Sequence, residues 1–430
     1  MNTTTHGKRM EENRIDNPKP GFEDPSPGVD LDIADETALE DLGTEPMFIN
    51  IGPTHPATHG TFRVFCKLDG ERIEKAAVEI GYLHRGFEKI VETKHYTQVI
   101  PYTDRLNYCS GLVNNVGYCK AVERMLGVTI TPRTEIIRVI ICEIQRIMDH
   151  MICVCANLVD IGALTNFWYF FNAREKLNDL LEALTGARLT YSYTRIGGLA
   201  WDLPKGFEEN VKTVMKEVPK AIKDVEGLIK KNRIFIDRTR DVGVMGADDA
   251  VSFGFTGPCL RASGVNHDLR KKKPYYHYDE FEFDVPVGER GDVYDRIFVR
   301  MEEMKQSYRI VEQALKILPG GPINIDDKNI MLPDKDRVHS SMEELINHFK
   351  LIIEGIKPPA GEIYDAIEAP NGELGFYIIS DGSGKPYRIK CRPPCFYLMN
   401  GLKKLIEGHM VADIVAILAG LNIIAGELDR

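Results

Sequence analysis

The sequence predicts an α+β chain, mainly helical, with an N-terminal β-hairpin region and a long-helix bundle core. Three features predict it. Strand patterns with turn residues between them cluster in residues 45–80. After Thr131-Pro132, apolar residues keep a three-four spacing for about eight helical turns. A second group of strand patterns, Glu362 to Lys390, is punctuated by PNGE and DGSG. With 430 residues, 43% of them hydrophobic, the chain can bury a sizeable core.

Residues 1–44 are polar and acidic, carry Pro18, Pro20, Pro25 and Pro27, and read as a flexible acidic arm without the apolar stretch of a secretion signal. Residues 45–80 follow as a β region. MFINIG, TFRVFCKLDG and RIEKAAVEIG are its strands, and Asp69-Gly70 is a hairpin turn signal. Residues 81–430 read as a helical domain with small β insertions. Its organiser starts at Thr131, a capping residue, and Pro132, which suits a first helical turn. Ile136, Ile137, Ile140, Ile141, Ile144, Ile147, Met148, Met151 and Ile152 form its buried face, over about 28 residues and about 40 Å. A helical region from about Glu208 to Arg240 comes next, then a charged loop, His267–Asp292, and a helix over about 292–318 stopped by PGGP. The stretch Met410–Gly426 is broken by Asp413 and two glycines, so it reads as a buried helix and a turn rather than a membrane span.

Composition excludes several functions. A net charge of −10 argues against a nucleic-acid partner, which would need a basic face to neutralise phosphates. Nine scattered cysteines, with no Cys-x-x-Cys, suit a reducing compartment and read as small buried hydrophobes. No glycine-rich stretch has phosphate-loop or dinucleotide spacing.

The polar residues that could carry chemistry are few. In NIGPTHPATHG, His55 and His59 stand four apart around Pro56. The prolines impose a turn in which imidazoles can cap backbone groups; a metal site would want further ligands at a fixed offset. GYLHRGFEKI holds His84 and Arg85, and YTDRLNY holds Asp104, Arg105 and Tyr108. Arg138, Glu143, Arg146, Asp149, His150 and Asp160 interrupt the apolar pattern of the long helix. Buried ions need partners, so an internal salt-bridge network is the first reading of most of these. A histidine, a tyrosine and a carboxylate at one cavity would also suit proton delivery.

Taken together, GPTHPATHG, GYLHRGFEK, PYTDRLNY, SGVNHDLRKKKPY, FDVPVGERGDVYDR, LPGGPI and EGHMVADIVAILAGLNIIAGELDR resemble the D subunit (NuoD type) of respiratory complex I, a family related to the [NiFe]-hydrogenase large subunit. The resemblance runs from about Phe48 to Arg430. It implies a hydrogenase-large-subunit-like fold without the metal centre, because the paired Cys-x-x-Cys ligands are missing and the chain ends in GELDR. It also implies a quinone site in the vacated cavity. His59 and Tyr108 would bind the quinone headgroup and supply protons, Asp160 would orient His59, and His55 would shape the loop. This chain would bind no cofactor itself. Electrons would come from NADH at a distant subunit and reach the quinone from a [4Fe–4S] cluster in the B subunit, beside Arg85. The C and I subunits and the membrane-embedded H subunit would be further partners, with the chain peripheral on the cytoplasmic face of a bacterial membrane and its reaction coupled to proton pumping. Where the family pattern has a histidine, ARLTYSYTRIGG has Thr190, and Ile196 stands for a proline. A threonine does not titrate near neutral pH, so a lower-potential centre reducing menaquinone is expected. The competing readings are the equivalent subunit of a ferredoxin-driven complex, and a scaffold without chemistry.

Overall fold

The computed structural model describes residues 46–430; the acidic arm read over residues 1–44 lies outside the described residues. Helices dominate, with two three-stranded antiparallel sheets and a two-residue ribbon at Thr194–Arg195 and Gly198–Leu199. The chain is thus a mainly helical α+β fold.

Strands β1 (Met47–Ile51), β2 (Arg63–Asp69) and β3 (Arg72–Glu79) pair in sequence order, with Met47 opposite Leu68 and Arg63 opposite Glu79. Gly70 takes φ +58° between β2 and β3, as the Asp-Gly turn requires. Ile73 of β3 exchanges backbone hydrogen bonds with Gly408 and His409 (2.8 and 2.9 Å), so the sheet is fastened to the segment that leads into the last helices.

The long helix spans Pro132–Asp160. Thr131 caps it by accepting from the Thr134 N–H at 3.3 Å. It is buried on nearly every side, as a central helix must be when others surround it. Gly111–Leu126, Leu164–Thr185, Val293–Ile317 and Val411–Leu421 pack around it. The second sheet (Gly361–Ala369, Gly372–Ser380 and Arg388–Arg392) lies against Gly111–Leu126, where Tyr118 meets Phe376 edge-on at 5.7 Å.

Two regions are resolved further by the structure. The helical region expected from about Glu208 to Arg240 is three helices, Phe207–Met215, Glu217–Ile229 and Arg233–Thr239. Pro219 has no N–H to continue the preceding ladder, so a new helix begins just before it. The charged loop after His267 keeps Lys271–Lys273 exposed but buries Asp268, Arg270 and Tyr278, because these pair with charges on the long helix and with one another. All nine cysteines are free and eight are buried. No helix among the described residues is long and apolar enough to cross a membrane.

Candidate functional site

The loop between β1 and β2 is pinched at its base. A Cβ on Gly52 would lie 2.0 Å from the Phe62 carbonyl oxygen, and Gly52 sits at φ +98°, so only glycine fits. Inside the pinch, Pro56–Thr58 form one 3₁₀ turn with a histidine at each end. The two histidines do different work. His55 caps the turn by accepting the Ala57 N–H on Nδ1 at 3.2 Å. His59 ends it in the left-handed region, φ +50°, which costs a non-glycine residue about 1 kcal/mol. That conformation goes with a side chain that leaves the loop: His59 Nε2 lies 2.5 Å from Asp160 Oδ2.

Asp160 is the last residue of the long helix, where the backbone carbonyls present partial negative charge. A carboxylate there gains from a cation, and His59 can be one. The hydrogen bond to Asp160 raises the His59 pKa above the ordinary histidine value, with burial opposing and the Asp160 charge adding. His59 keeps 39% of its side chain exposed and Asp160 14%, so the pair stands at an open face.

Tyr108 begins a short 3₁₀ turn, Tyr108–Ser110, just before the helix Gly111–Leu126. The turn is held from below by Asn107, which accepts the Cys109 N–H and donates to the Asp149 carboxylate at 2.8 Å. Tyr108 is 40% exposed. Burial of the rest of its ring, with Cys109, Cys395 and Asp149 adding, pushes its hydroxyl up to about 12, so it remains a phenol able to donate. The exposed Arg85 donates from Nη2 to the carbonyl of Arg105, in the segment just before Tyr108, and burial together with the Arg105 charge lowers its pKa. Among the described residues no carboxylate pairs with Arg85.

The final segment, Ala425–Arg430, joins these parts. A Cβ on Gly60 would sit 3.0 Å from the Ala425 Cβ. One on Gly426 would lie 2.7 and 2.8 Å from the Arg105 and Leu106 carbonyl oxygens, and 3.6 Å from the Tyr108 ring. The Asp429 carboxylate accepts the Gly81 and Leu83 N–H groups at 2.9 and 2.8 Å, and His84 Nδ1 meets the Asp429 carbonyl at 2.6 Å. Arg430 reaches Glu88 at 3.3 Å. The loops carrying His59, Arg85 and Tyr108 therefore all lean on six consecutive residues.

The structure brings His59 and Asp160 into contact and sets Tyr108 and Arg85 on the same closing segment. Thr190 sits in a half-buried loop at φ +56°, donating to its neighbour's carbonyl. The next turn of that loop is stapled by Ser192, whose N–H and hydroxyl donate to Asp104 at 3.1 and 2.5 Å. Sequence reasoning missed Cys395, Asn422 and Glu427 beneath the site. Asn422, at φ +58°, donates to Asp149 at 3.0 Å and to Asn371 at 2.6 Å. A helix-ending asparagine was the one signal that could have flagged it. Among the described residues no group of three or more His, Cys, Asp or Glu is placed to hold a metal. A cleft of about 610 Å³ lined by Trp168, Tyr169, Lys220 and Asp224 shares no residue with the site.

Comparison with known proteins follows the same outline. A family model described as the respiratory-chain NADH dehydrogenase 49 kDa subunit matches residues 160–430. The D subunit of the NADH-quinone oxidoreductase of Pelobacter propionicus is 51% identical over 384 residues, covering 89% of this chain and 95% of its own length. The D subunit of the Methylacidiphilum infernorum enzyme is 49% identical over 410 residues, 94% of this chain and 98% of that one. The C/D subunit of the Bdellovibrio bacteriovorus enzyme is 56% identical over 382 residues, 89% of this chain and 68% of that one.

Proposed function

The chain belongs to the 49 kDa subunit family of the respiratory-chain NADH dehydrogenase, a component of a multisubunit oxidoreductase, and from that premise we propose that His59, Tyr108 and Asp160 form the reducing end of a quinone chamber. The observation that carries the reading is the His59–Asp160 pair on an open face, with the loop of His59 and the turn of Tyr108 packed on one closing segment.

Reduction of a quinone to its quinol adds two electrons and two protons. The developing charge on the quinone oxygens needs donors already in place, because an apolar wall would leave it unsolvated. His59 supplies one donor. Its raised pKa keeps it an imidazolium over more of the neutral range, and Asp160 stabilises the charge and aims the ring. Tyr108 supplies the other, a phenol that stays protonated below about pH 12. His55 holds the turn by accepting the Ala57 N–H.

The half-exposed His59 and Tyr108 favour a chamber completed by a second subunit. We assign that wall to the B subunit, whose [4Fe–4S] cluster would supply the electrons. Arg85, a cation with no carboxylate beside it among the described residues, would face that negative cluster, while NADH is oxidised at a distant subunit. The C and I subunits and the membrane-embedded H subunit would be the other neighbours, placing the chain on the cytoplasmic side of the membrane in a proton-pumping enzyme. The hydrogenase large-subunit relationship, and menaquinone as the native quinone on the strength of Thr190, belong to the same proposal.

The test is the quinone reductase rate of an assembled Tyr108→Phe complex, beside a rate with an artificial acceptor that bypasses the quinone. A loss of about a hundredfold in the first with the second intact is the expected result. Equal quinone rates would remove Tyr108 from the chamber.

A further inference from the structure

Glu427 follows Gly426, the residue laid against the Tyr108 turn, and its side chain is fully buried. No cation among the described residues pairs with it. Neither carboxyl oxygen has a geometrically sound hydrogen-bond partner. The groups that face it are the Cys395 thiol and the Asn371 amide, with the Asp149 carboxylate and the Cys391 thiol within electrostatic reach. Arg430 and Glu88, paired with one another, act on the Cys391 side. A carboxylate is costly in such a place, and a neutral carboxyl is not. Burial, with Asp149 adding, raises the Glu427 pKa to about 7, against a smaller pull from Cys395 and Asn371. Cys395 acts electrostatically on Tyr108 and meets Glu427 directly, and Asn371 and Ile424 donate to its sulfur at 3.4 Å.

We propose that Glu427 stores, as a neutral carboxylic acid beneath the Tyr108 turn, the proton that restores the Tyr108 phenol after each quinone reduction. The inference rests on the reading of Tyr108 as a headgroup donor. Two electrons from outside this chain, one proton from the Tyr108 hydroxyl and one from the His59 imidazolium convert quinone to quinol and leave a tyrosinate and a neutral His59 imidazole. The Glu427 O–H bond then breaks, its proton passes on the Cys395 side to the tyrosinate oxygen, and the phenol O–H forms again. Glu427 is left as carboxylate and His59 as neutral imidazole, and each regains a proton from solvent before the next turnover. The transfer runs downhill, since the phenol holds its proton far more tightly than the carboxyl. Glu427 acts through Tyr108 and is a positioning residue in that sense.

The experiment uses the assembled complex and Glu427→Gln, which keeps the shape and removes the acidic proton. The quinone reductase rate is expected to fall about tenfold, less than the loss from Tyr108→Phe, with the artificial-acceptor rate unchanged and the pH dependence near neutrality flattened. Glu427→Asp should recover part of the rate. In the parent complex, the infrared difference spectrum on quinone reduction should contain the loss of a protonated-carboxyl band, and Glu427→Gln should abolish it. A parent spectrum without that band overturns the inference even if the variants fail to assemble. A Glu427→Gln rate equal to the parent's, with Tyr108→Phe slow, overturns the inference and leaves the site reading standing. If both variants run at the parent's rate, the site reading falls and the inference with it. A rate loss with an unchanged pH profile makes Glu427 structural and also overturns the inference.

Discussion

The middle of the long helix and its last turns solve opposite electrostatic problems. In the middle, Glu143 is fully buried yet receives Arg146, Arg270, the Tyr278 hydroxyl and the Ser307 hydroxyl, at 2.6–3.2 Å. Burial alone would raise its pKa, and the two guanidiniums more than reverse that. Glu303 is treated the same way: Arg261 and His150 overcome burial and bring it down to about 2. His150, pulled low by burial despite Glu303, stands neutral and donates. Glu143 and Glu303 are thus held ionised. At the other end the shifts favour the protonated forms: His59 is raised, Tyr108 stands at about 12 and Glu427 at about 7. The same helix thus carries a buried ionic network in its middle and, at its last residue, the carboxylate that meets His59. Asp149 and Asp160, eleven residues apart and about 16 Å along one face, mark the second part.

The contrast can be broken most severely at Glu143. Glu143→Gln leaves the buried Arg146 without its countercharge and Arg270 with Asp268 alone, at a cost of about 3–5 kcal/mol. Thermal unfolding and the yield of assembled complex should both drop. Retention of full stability would mean that the network is not the scaffold described here.

Gly426→Ala comes next. A methyl group meeting the Arg105 and Leu106 carbonyls should cost about 1–3 kcal/mol and shift the Tyr108 turn. Quinone reduction should fall further than the artificial-acceptor rate; equal losses would place the strain outside the site.

Asp160→Asn should do least to stability, at most about 1 kcal/mol for a pair this exposed. The sign follows from the raised His59 pKa. The stabilisation from charged His59 is fully present below the unfolded pKa and fades as pH rises through the folded one. In Asp160→Asn that folded pKa drops, so the alkaline fall in quinone reduction should move to lower pH. A pH–rate profile matching the parent's would separate Asp160 from proton delivery.

Local chemistry made the scaffold legible and left the site obscure. Thr131-Pro132 and the apolar spacing after it locate the long helix, because capping and periodicity are local properties. The buried ions on it announce a need for partners, but Asp268 and Arg270 sit in a stretch whose lysines mark it as surface, and only packing separates the two. His59 and Asp160 are 101 residues apart, so no spacing pairs them; resemblance to a family suggested the pair, and geometry shows the contact. Glu427 and Cys395 were invisible for a different reason. A carboxyl in GELDR looks like any acidic residue near a helix end until its lack of a cation is seen.

The grip of Asp429 on Gly81 and Leu83 has a further consequence in time. Those hydrogen bonds span 348 and 346 residues of chain. Contacts of such separation carry the full entropy of loop closure and come late on a folding route, after local helices and hairpins have formed. A partly folded chain can therefore own a helical core with its ionic network while the loops of His59, Arg85 and Tyr108 still lack their common support. Such an intermediate would have near-native helix content and no competence for the reaction, so the proton-bearing groups come together only around a core that is already made.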